Sequence, residues 1–222
     1  MGRVIMSGIV PTLTTPSSTI FLNSIAEGTV VKINENNIPV EFYVAKQDYE
    51  SGLNGMGRVL VVRKDCYDTR QWHSSNVNAY TSSAIDSWLN SPYKNLFDSA
   101  VQGLIGATKF YYTPGDGVTT VDTLERSIFL LSVTELGRTA SYANTEGTSL
   151  GIASSLQIAH INGSAIIQWT RSPVLDGSIS ACALYSNGGV NAYGCISSYG
   201  SRPCFTLPEN TKFDATTMLL KE

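Results

Sequence analysis

The chain has 222 residues, which is enough for one large domain or two small ones. Charged residues make up 15% of it and hydrophobic residues 42%, whereas about 25% charged is typical. This composition excludes a disordered chain, which needs few apolar residues and a high net charge. The formal charge is −3, and no basic cluster is larger than the pair Arg63-Lys64. Binding to nucleic acid through phosphate neutralisation is therefore not expected.

Two further features bear on where the protein is made. No apolar run reaches the roughly 18 residues of a membrane span, so we expect no membrane insertion. The apolar run near the N-terminus is only Val4-Ile5-Met6, which is too short for the core of a signal peptide. We therefore expect synthesis in the cytoplasm without a signal peptide.

Residues 1–23 are rich in Thr, Ser and Pro and show no helical or strand period. They are interpreted either as a flexible arm or as a connector to a larger assembly. A regular pattern begins at residue 24, so we assign residues 24–222 to one domain. Residues 29–33 and 40–44 are β-branched and aromatic runs around a polar piece, which predicts a hairpin, and residues 58–63 predict a third strand.

A helical region follows. Ser82 or Ser83 can cap a helix over residues 84–89. Pro92 suits the first position of a second helix. The apolar face of that second helix would consist of Tyr93, Leu96, Phe97, Val101 and Leu104.

Strand patterns return after this region, over residues 109–112 and 128–131. A further hairpin is predicted with arms at 156–159 and 165–169 and with Asn162-Gly163, a favoured pair for a type I′ turn, at its tip. Two helices among many short strands predict an α+β fold in one domain.

Residues 174–201 differ in composition from the rest of the chain. This segment contains a single charge, Asp176, and its three tyrosines, Tyr185, Tyr193 and Tyr199, lie among Ser, Gly and Asn. The mixture is typical of antibody paratopes, in which Tyr gives contact area and small polar residues give adaptable hydrogen bonds. A Gly/Ser-rich loop and strand pair without any ligand is the alternative.

Both flanks of this segment carry an arginine beside bulky or rigid apolar residues. Trp169 and Arg171 precede it, and Arg202 and Phe205 follow it. We interpret these four as a scaffold frame, because guanidinium groups can tie carbonyls or carboxylates in place. The candidate carboxylates are Asp65, Asp68, Asp86 and Asp98.

Several stretches resemble a known family: residues 41–55, 61–67, 72–76, Trp169-Thr170-Arg171-Ser172-Pro173 and Gly200-Ser201-Arg202-Pro203. They are similar to a domain common in phages and prophages of Firmicutes and in gut viromes. They also resemble the variable proteins of diversity-generating retroelements, which adopt a C-type-lectin-like fold. The resemblance covers roughly residues 24–208. It implies two helices with several short antiparallel strands and hairpins, and a hypervariable face over residues 174–201.

The resemblance to retroelement variable proteins implies which amino-acid types a diversified segment can contain. Such retroelements mutate adenines, mainly at AAC codons, and changes in the first two bases never yield Lys, Glu, Gln, Met or Trp. These five types supply 28 of the 222 residues, and residues 174–201 contain none of them. The composition of the segment therefore favours diversification.

The resemblance implies a ligand- or receptor-binding protein on a phage tail, in the virion, or on a bacterial surface. Its partner would be a host-surface protein or glycan, and a homo-oligomer or attachment to a tail structure is open. The residues expected to contact the ligand lie within the segment: Leu175, Asp176, Ser178, Leu184, Tyr185, Asn187, Asn191, Tyr193, Ser197 and Tyr199.

We predict no enzymatic activity and no cofactor, because a Walker loop and an H-E-x-x-H motif are absent from the sequence. Cys66 and His73 are weighed as a nucleophile–base pair and not favoured. A tail-associated glycan or cell-wall hydrolase and a non-diversified structural tail protein stay as alternatives.

The four cysteines lack C-x-x-C and zinc spacing, and one Cys182–Cys195 bridge stays open. We also predict no calcium or other metal at the variable face. The Glu-Pro-Asn and Gln-Pro-Asp triplets of sugar-binding lectins are absent, and the segment offers one carboxylate.

Overall fold

A computed structural model describes residues 18–221 and arranges them as an α+β protein built mostly from short strands. The α+β class expected from the sequence is confirmed. The described strands, in chain order, are β1 (Thr19–Phe21), β2 (Val30–Glu35), β3 (Ile38–Lys46), β4 (Arg58–Arg63), β5 (Asp68–Gln71), β6 (Thr108–Tyr112), β7 (Asp122–Arg126), β8 (Ile128–Phe129), β9 (His160–Ile161), β10 (Ser164–Ala165), β11 (Gln168–Pro173), β12 (Ser180–Leu184), β13 (Val190–Gly194), β14 (Ser198–Ser201), β15 (Cys204–Pro208) and β16 (Lys212–Asp214). The α-helices are α1 (Ser51–Asn54), α2 (Ala84–Trp88), α3 (Ser99–Leu104) and α4 (Ser154–Gln157).

The first large sheet has five strands in the order β2-β3-β4-β15-β8, all antiparallel to their neighbours. The predicted hairpin and third strand are confirmed as β2, β3 and β4. Asn36 and Asn37 form the hairpin turn with positive φ angles of 50° and 63°. Asparagine tolerates this conformation better than most residues, which explains why the polar piece turns here.

The second large sheet also has five strands, in the order β13-β12-β11-β14-β5. Strands β11 and β14 run parallel, and the other neighbours are antiparallel. Three strands of this sheet, β12, β13 and β14, come from residues 174–201. The segment therefore forms the sheet itself, with two short turns, and is not a free loop.

The helical region is confirmed at its start and wrong at its second helix. Ser83 accepts a hydrogen bond from the Asp86 backbone N–H at 3.0 Å and caps α2 as predicted. Pro92, however, lies inside a π-helical turn, Leu89–Tyr93, that continues directly from α2. The second helix begins later because Asp98 accepts the Val101 N–H at 2.8 Å and is the actual cap.

The predicted arm at 156–159 is also wrong, because residues Ser154–Gln157 form the helical turn α4. The carbonyl groups at its end are satisfied by remote side chains. Arg202 donates to Leu156 O and Gln157 O, and Gln168 also donates to Gln157 O. The hairpin tip itself is confirmed: Asn162 and Gly163 have φ angles of 51° and 79° between β9 and β10.

Two other boundaries differ from the sequence prediction. The strand expected at 128–131 ends at Phe129, and the next two carbonyls accept hydrogen bonds from Arg171 instead. Residues 19–23 of the expected arm join the fold, because β1 pairs with β16 and Leu22 is fully buried. Residues 1–17 of that arm lie outside the described residues.

A buried ion pair lies behind the second sheet. Arg171 on β11 donates to Glu135 at 2.5 Å, and both side chains are fully buried. Tyr49 donates its hydroxyl to the same carboxylate at 2.5 Å. The remaining guanidinium donors reach Leu130 O at 2.8 Å and Tyr111 O at 2.8 and 3.0 Å. Arg171 therefore connects β11 to three other parts of the chain, and we call these five residues the Arg171 hub.

Replacing Glu135 with Gln is expected to destabilise the fold by about 3–5 kcal/mol, because it leaves a buried guanidinium without its counter-charge. Urea unfolding measures this difference. The matched control is Glu41→Gln, which breaks the exposed Lys64–Glu41 pair and should cost less than about 1 kcal/mol. Equal effects of the two changes would show that the hub is not the stronger constraint.

Candidate functional site

The ten predicted contact positions are distributed along one segment, and nine of them keep some exposure. Asp176, Asn187 and Asn191 are exposed. The half-buried ones are Leu175, Ser178, Tyr185, Tyr193, Ser197 and Tyr199. These nine residues are called the variable face below.

Leu184 is the exception, and its assignment as a contact position is wrong. It is fully buried and belongs to the main hydrophobic core. Its strand β12 lies inside the sheet, where Leu184 pairs with Gln168 on one side and Val190 on the other. Four consecutive residues of β12 are buried because both faces of this strand are covered, so no outward position alternates along it.

Four aromatic rings come together at the variable face: Trp169, Tyr185, Tyr193 and Tyr199, called the aromatic cluster below. The ring centroids of Tyr193 and Tyr199 are 4.5 Å apart, and Tyr185 lies 5.7 Å from Tyr193. Trp169 lies at 5.1 Å from Tyr199 in a T-shaped arrangement. Offset and edge contacts of this kind add stability beyond the buried area, so the cluster forms one packed group.

Small residues on β12 make room for the cluster. Ala181 pairs directly with Tyr193, and Ala183 pairs with Trp169, and both alanines are fully buried. Directly paired residues share a face of the sheet, so the rings can lean across the strand between them.

Hydrogen bonds connect the tyrosine hydroxyls to their surroundings. Asn191 donates to Tyr185 Oη at 3.1 Å. Hydrogen bonding from Tyr193 and then from Asn191 lowers the pKa of Tyr185. The pKa of Tyr193 is raised, by desolvation first and by the neighbouring Tyr185 next. The two hydroxyl groups therefore act as linked neighbours, with Tyr185 the more readily ionised of the pair.

Asn78, which sequence reasoning missed, holds the loop that carries Leu175, Asp176 and Ser178. Its side-chain Nδ2 donates to Val174 O and Ser180 O at 2.9 Å each and to Gly177 O at 3.2 Å. Its backbone N–H donates to Ser178 O at 2.7 Å. All of these contacts use backbone atoms of the loop, so its side chains are free to change.

Replacing Asn78 with Ala is expected to raise the hydrogen-exchange rate of amides 175–180, because three carbonyl groups lose their donor. The amides of β13, in the same sheet, serve as the internal reference and should change little. Exchange monitored by mass spectrometry separates the two segments. Equal loosening of both would contradict a local role for Asn78.

The four frame residues are buried, with exposures of 2% or less. Arg202 donates to Arg63 O at 2.8 Å and to Lys64 O at 2.6 Å, besides its two bonds to α4. Trp169 donates Nε1–H to Arg70 O at 2.9 Å. Phe205 packs against Phe42 with ring centroids 5.4 Å apart. The frame thus fixes both ends of the segment.

The expected carboxylate partners of the frame arginines are wrong. Arg171 pairs with Glu135, and Arg202 binds backbone carbonyl groups. Asp68 pairs with Arg70, and Asp86 pairs with Arg126. Glu135 lies 36 positions from Arg171, and a partner at that separation leaves no local signal in the sequence.

A second group that the sequence did not reveal borders the variable face. Arg70 pairs with Tyr199 across β5 and β14, and its guanidinium carbon lies 3.4 Å from the centroid of the Trp88 ring. Asp68 forms an ion pair with this guanidinium. Tyr67 is 38% exposed and packs 5.4 Å from Trp88. The face is therefore bordered by aromatic and guanidinium groups outside residues 174–201.

The cysteines show no sign of catalytic activation. Burial raises the pKa of the Cys66 thiol to about 12, which disfavours the thiolate that a nucleophile needs. His73 Nδ1 instead accepts the Ser75 backbone N–H at 2.9 Å. All four cysteines are buried and unpaired, so the Cys182–Cys195 bridge is not formed. Cys182 packs with Val133 and Val174, in a smaller cluster than the one that holds Cys195.

Two findings concern metals and membranes. Within residues 18–221, no three His, Cys, Asp or Glu side chains gather closely enough to hold a metal ion. The expectation of no calcium at the variable face stays a prediction. The same residues contain no helix that is both long and apolar enough to cross a membrane.

Glu50 lies close to the buried carboxylate of the hub. Its Oε1 and the Oε1 of Glu135 approach the same side of Gly147, at 2.8 and 3.5 Å from the point where a Cβ would stand. Desolvation, followed by the negative charge of Glu135, raises the pKa of Glu50. Glu50 also has a positive φ of 45°, which is uncommon for a residue other than glycine.

The raised pKa gives a prediction with a defined sign. The folded state holds the Glu50 proton more tightly than the unfolded chain, so its contribution to stability is present below the ordinary value of 4.5 and is lost as pH rises through the folded pKa. Glu50→Gln should therefore raise Tm at pH near 7, relative to the natural protein, by more than it does below about pH 4. Calorimetry across pH measures this. A larger gain at the acidic end would reverse the sign and contradict the account.

Comparison with known families supplies one match. Residues 56–209 match the family described as Domain of unknown function (DUF6273), which is more than two thirds of the chain. The chain belongs to this family. Neither the curated proteins nor the solved structures contain a match.

The DUF6273 match runs from the residues before β4 to the residue after β15 and includes the frame, Asn78 and the variable face. Strands β2 and β3 precede the matched range, yet β3 pairs with β4 in the same sheet. The structural unit therefore extends beyond the DUF6273 range at its N-terminal side.

Proposed function

We propose that this DUF6273 protein binds a ligand or receptor through the variable face, displayed on a C-type-lectin-like scaffold. One observation carries the proposal: strand pairing and Asn78 hold the backbone of residues 174–201, and among the nine positions only Asn187 and Asn191 accept a backbone N–H of the segment. Asn78 binds three backbone carbonyl groups of the segment, and strands β12 to β14 pair with their neighbours through the main chain. Side chains at the nine positions can then vary at low cost to the fold.

The chemistry of the variable face suits recognition. Its tyrosine rings supply broad contact area at low entropic cost, and its asparagine and serine side chains supply both hydrogen-bond donors and acceptors. Tyr and Trp are enriched among residues that dominate binding energy. Asp176 is the single charge of the segment, so the face favours a partner surface of low charge.

The biological setting of the proposal rests on the resemblance to phage domains and retroelement variable proteins. We place the protein on a phage tail or a bacterial surface, made in a bacterial cytoplasm and diversified by a retroelement. Its partner would be a host-surface protein or glycan. An oligomer or an attachment to the tail is compatible with this role.

The hydrolase alternative needs two carboxylates about 5–9.5 Å apart that face a cleft. Glu135 and Glu146 are fully buried and are engaged by Arg171 and by Ser172. These groups therefore give that alternative no support. The non-diversified structural protein would share the fold and would differ only in carrying a constant face.

Tyr193→Ala is expected to weaken binding at least about tenfold, because the change removes the ring at the middle of the aromatic cluster. The protein should stay folded with a smaller loss of Tm than Leu184→Ala causes, since Tyr193 is half-buried and Leu184 is fully buried. Binding of the labelled protein to intact bacterial hosts, followed by flow cytometry, measures the first effect.

Two matched variants make this experiment decisive. Ile38→Ser changes an exposed apolar residue of the other sheet and should leave binding unchanged. Leu184→Ala should cost about 2–5 kcal/mol of stability, as expected for a buried leucine. If Tyr193→Ala unfolds the protein as Leu184→Ala does, Tyr193 is a core residue and the proposed face is wrong.

The gene neighbourhood tests diversification separately. A reverse transcriptase gene should lie beside this gene, together with a near-copy of the segment that encodes residues 174–201. Mismatches between the two copies should fall at adenines of the template. Mismatches scattered over all four bases would favour the structural alternative.

A further inference from the structure

The chain contains three Asn-Gly pairs, Asn54-Gly55, Asn162-Gly163 and Asn187-Gly188. Such pairs carry a known chemical reactivity. The glycine backbone nitrogen attacks the side-chain carbonyl carbon of asparagine, ammonia leaves, and a five-membered succinimide forms. Water then opens the ring at either carbonyl, which yields aspartate or isoaspartate. The reaction consumes one water and releases one ammonia, so solvent supplies the only other reactant.

Two groups must be free of hydrogen bonds for this reaction to proceed. The asparagine amide has to rotate towards the backbone, and the glycine N–H has to leave any hydrogen bond that it makes. A folded protein slows the reaction wherever it holds either group, because the pair then reacts only after local opening. The hydrogen bonds of the three pairs therefore predict their relative rates.

Hydrogen bonds occupy both the nitrogen and the oxygen of the Asn54 side-chain amide. Its Nδ2 donates to two carbonyls of the preceding turn and to Lys109 O at 2.9 Å, and its Oδ1 accepts the Lys109 N–H at 2.8 Å. Gly55 donates its N–H to Ser51 O at 2.9 Å. Both reacting groups of this pair are occupied.

In the Asn187-Gly188 pair, a hydrogen bond occupies the glycine N–H, whose nitrogen would attack the asparagine side chain. Gly188 donates its N–H to Tyr185 O at 2.9 Å, and Asn187 Oδ1 accepts the Gly189 N–H at 3.0 Å. Gly188 is also buried, and the Arg138 guanidinium lies 2.8 Å from the position of an added Cβ. This tight turn restrains the approach of nitrogen to the amide carbon.

The pair at Asn162 is different. Both of its residues are exposed, and within residues 18–221 neither the Asn162 amide nor the Gly163 N–H makes a hydrogen bond. The strands on either side, β9 and β10, have two residues each. A hairpin this short opens readily, because few backbone bonds hold it.

We propose that Asn162 is a site of spontaneous deamidation in the folded protein, while Asn54 is protected and Asn187 reacts at an intermediate rate. The aspartate product adds one negative charge at the hairpin tip. The isoaspartate product routes the main chain through the side-chain carbon and lengthens a two-residue turn. Because Cys66 donates its N–H to His160 O at 3.0 Å, that change reaches the segment that enters β5.

Peptide mass spectrometry of the aged full-length chain tests the proposal. The purified protein is incubated in mildly alkaline buffer, and an identical sample is incubated in urea, where sequence alone sets the three rates. In the folded sample we expect a mass increase of about 1 Da at Asn162, at least about tenfold faster than at Asn54. In urea the three pairs should react at similar rates.

Two controls complete the experiment. Asn162→Ser should abolish the mass increase in that peptide and leave the other two peptides unchanged. Isoaspartate in the natural product, detected by its chromatographic separation from aspartate, marks the succinimide route. A folded-state rate at Asn162 no higher than that at Asn54, or a product with aspartate alone, would overturn the proposal.

Discussion

The buried Arg171–Glu135 pair is the constraint on which the rest of the structure depends. A charge pair with no exposure is stable only if every donor and lone pair is satisfied, since its desolvation cost is high. Here the guanidinium reaches Tyr111 O and Leu130 O, the carboxylate accepts Tyr49, and the Phe110 ring lies 4.6 Å from the guanidinium. Strand β11 is thereby fixed in place, and the variable face is built on its two sides.

Asparagine side chains form hydrogen bonds with backbone groups at the sheet edges of this domain, where other proteins often place charged side chains. Asn90 donates to Ile128 O and accepts the Ile128 N–H, which covers the outer edge of β8. On the edge strand β13, Asn191 accepts the Ala192 N–H with its own side chain. These contacts occupy backbone groups that would otherwise pair with another chain. Amide side chains thus cover part of the edges at β8 and β13 without using a charged residue.

Local chemistry made part of the fold predictable. The hairpin turn at Asn36 and Asn37, the tip at Asn162 and the cap at Ser83 depend on residues within a few positions, and all three were correct. Leu184 was misplaced because both faces of β12 are covered, which the composition of residues 174–201 does not reveal. Helix α4 and the partner of Arg171 were missed because Arg202 and Glu135 act across 45 and 36 positions.

The central claim is that the frame, and not the exposed side chains, determines the fold of residues 174–201. The most direct measurement is protease resistance across a library in which the nine positions of the variable face vary together. Most members are expected to keep the resistance of the natural sequence, while a parallel library at Trp169, Arg171, Arg202 and Phe205 should lose it. Loss of resistance in most members of the first library would contradict the account.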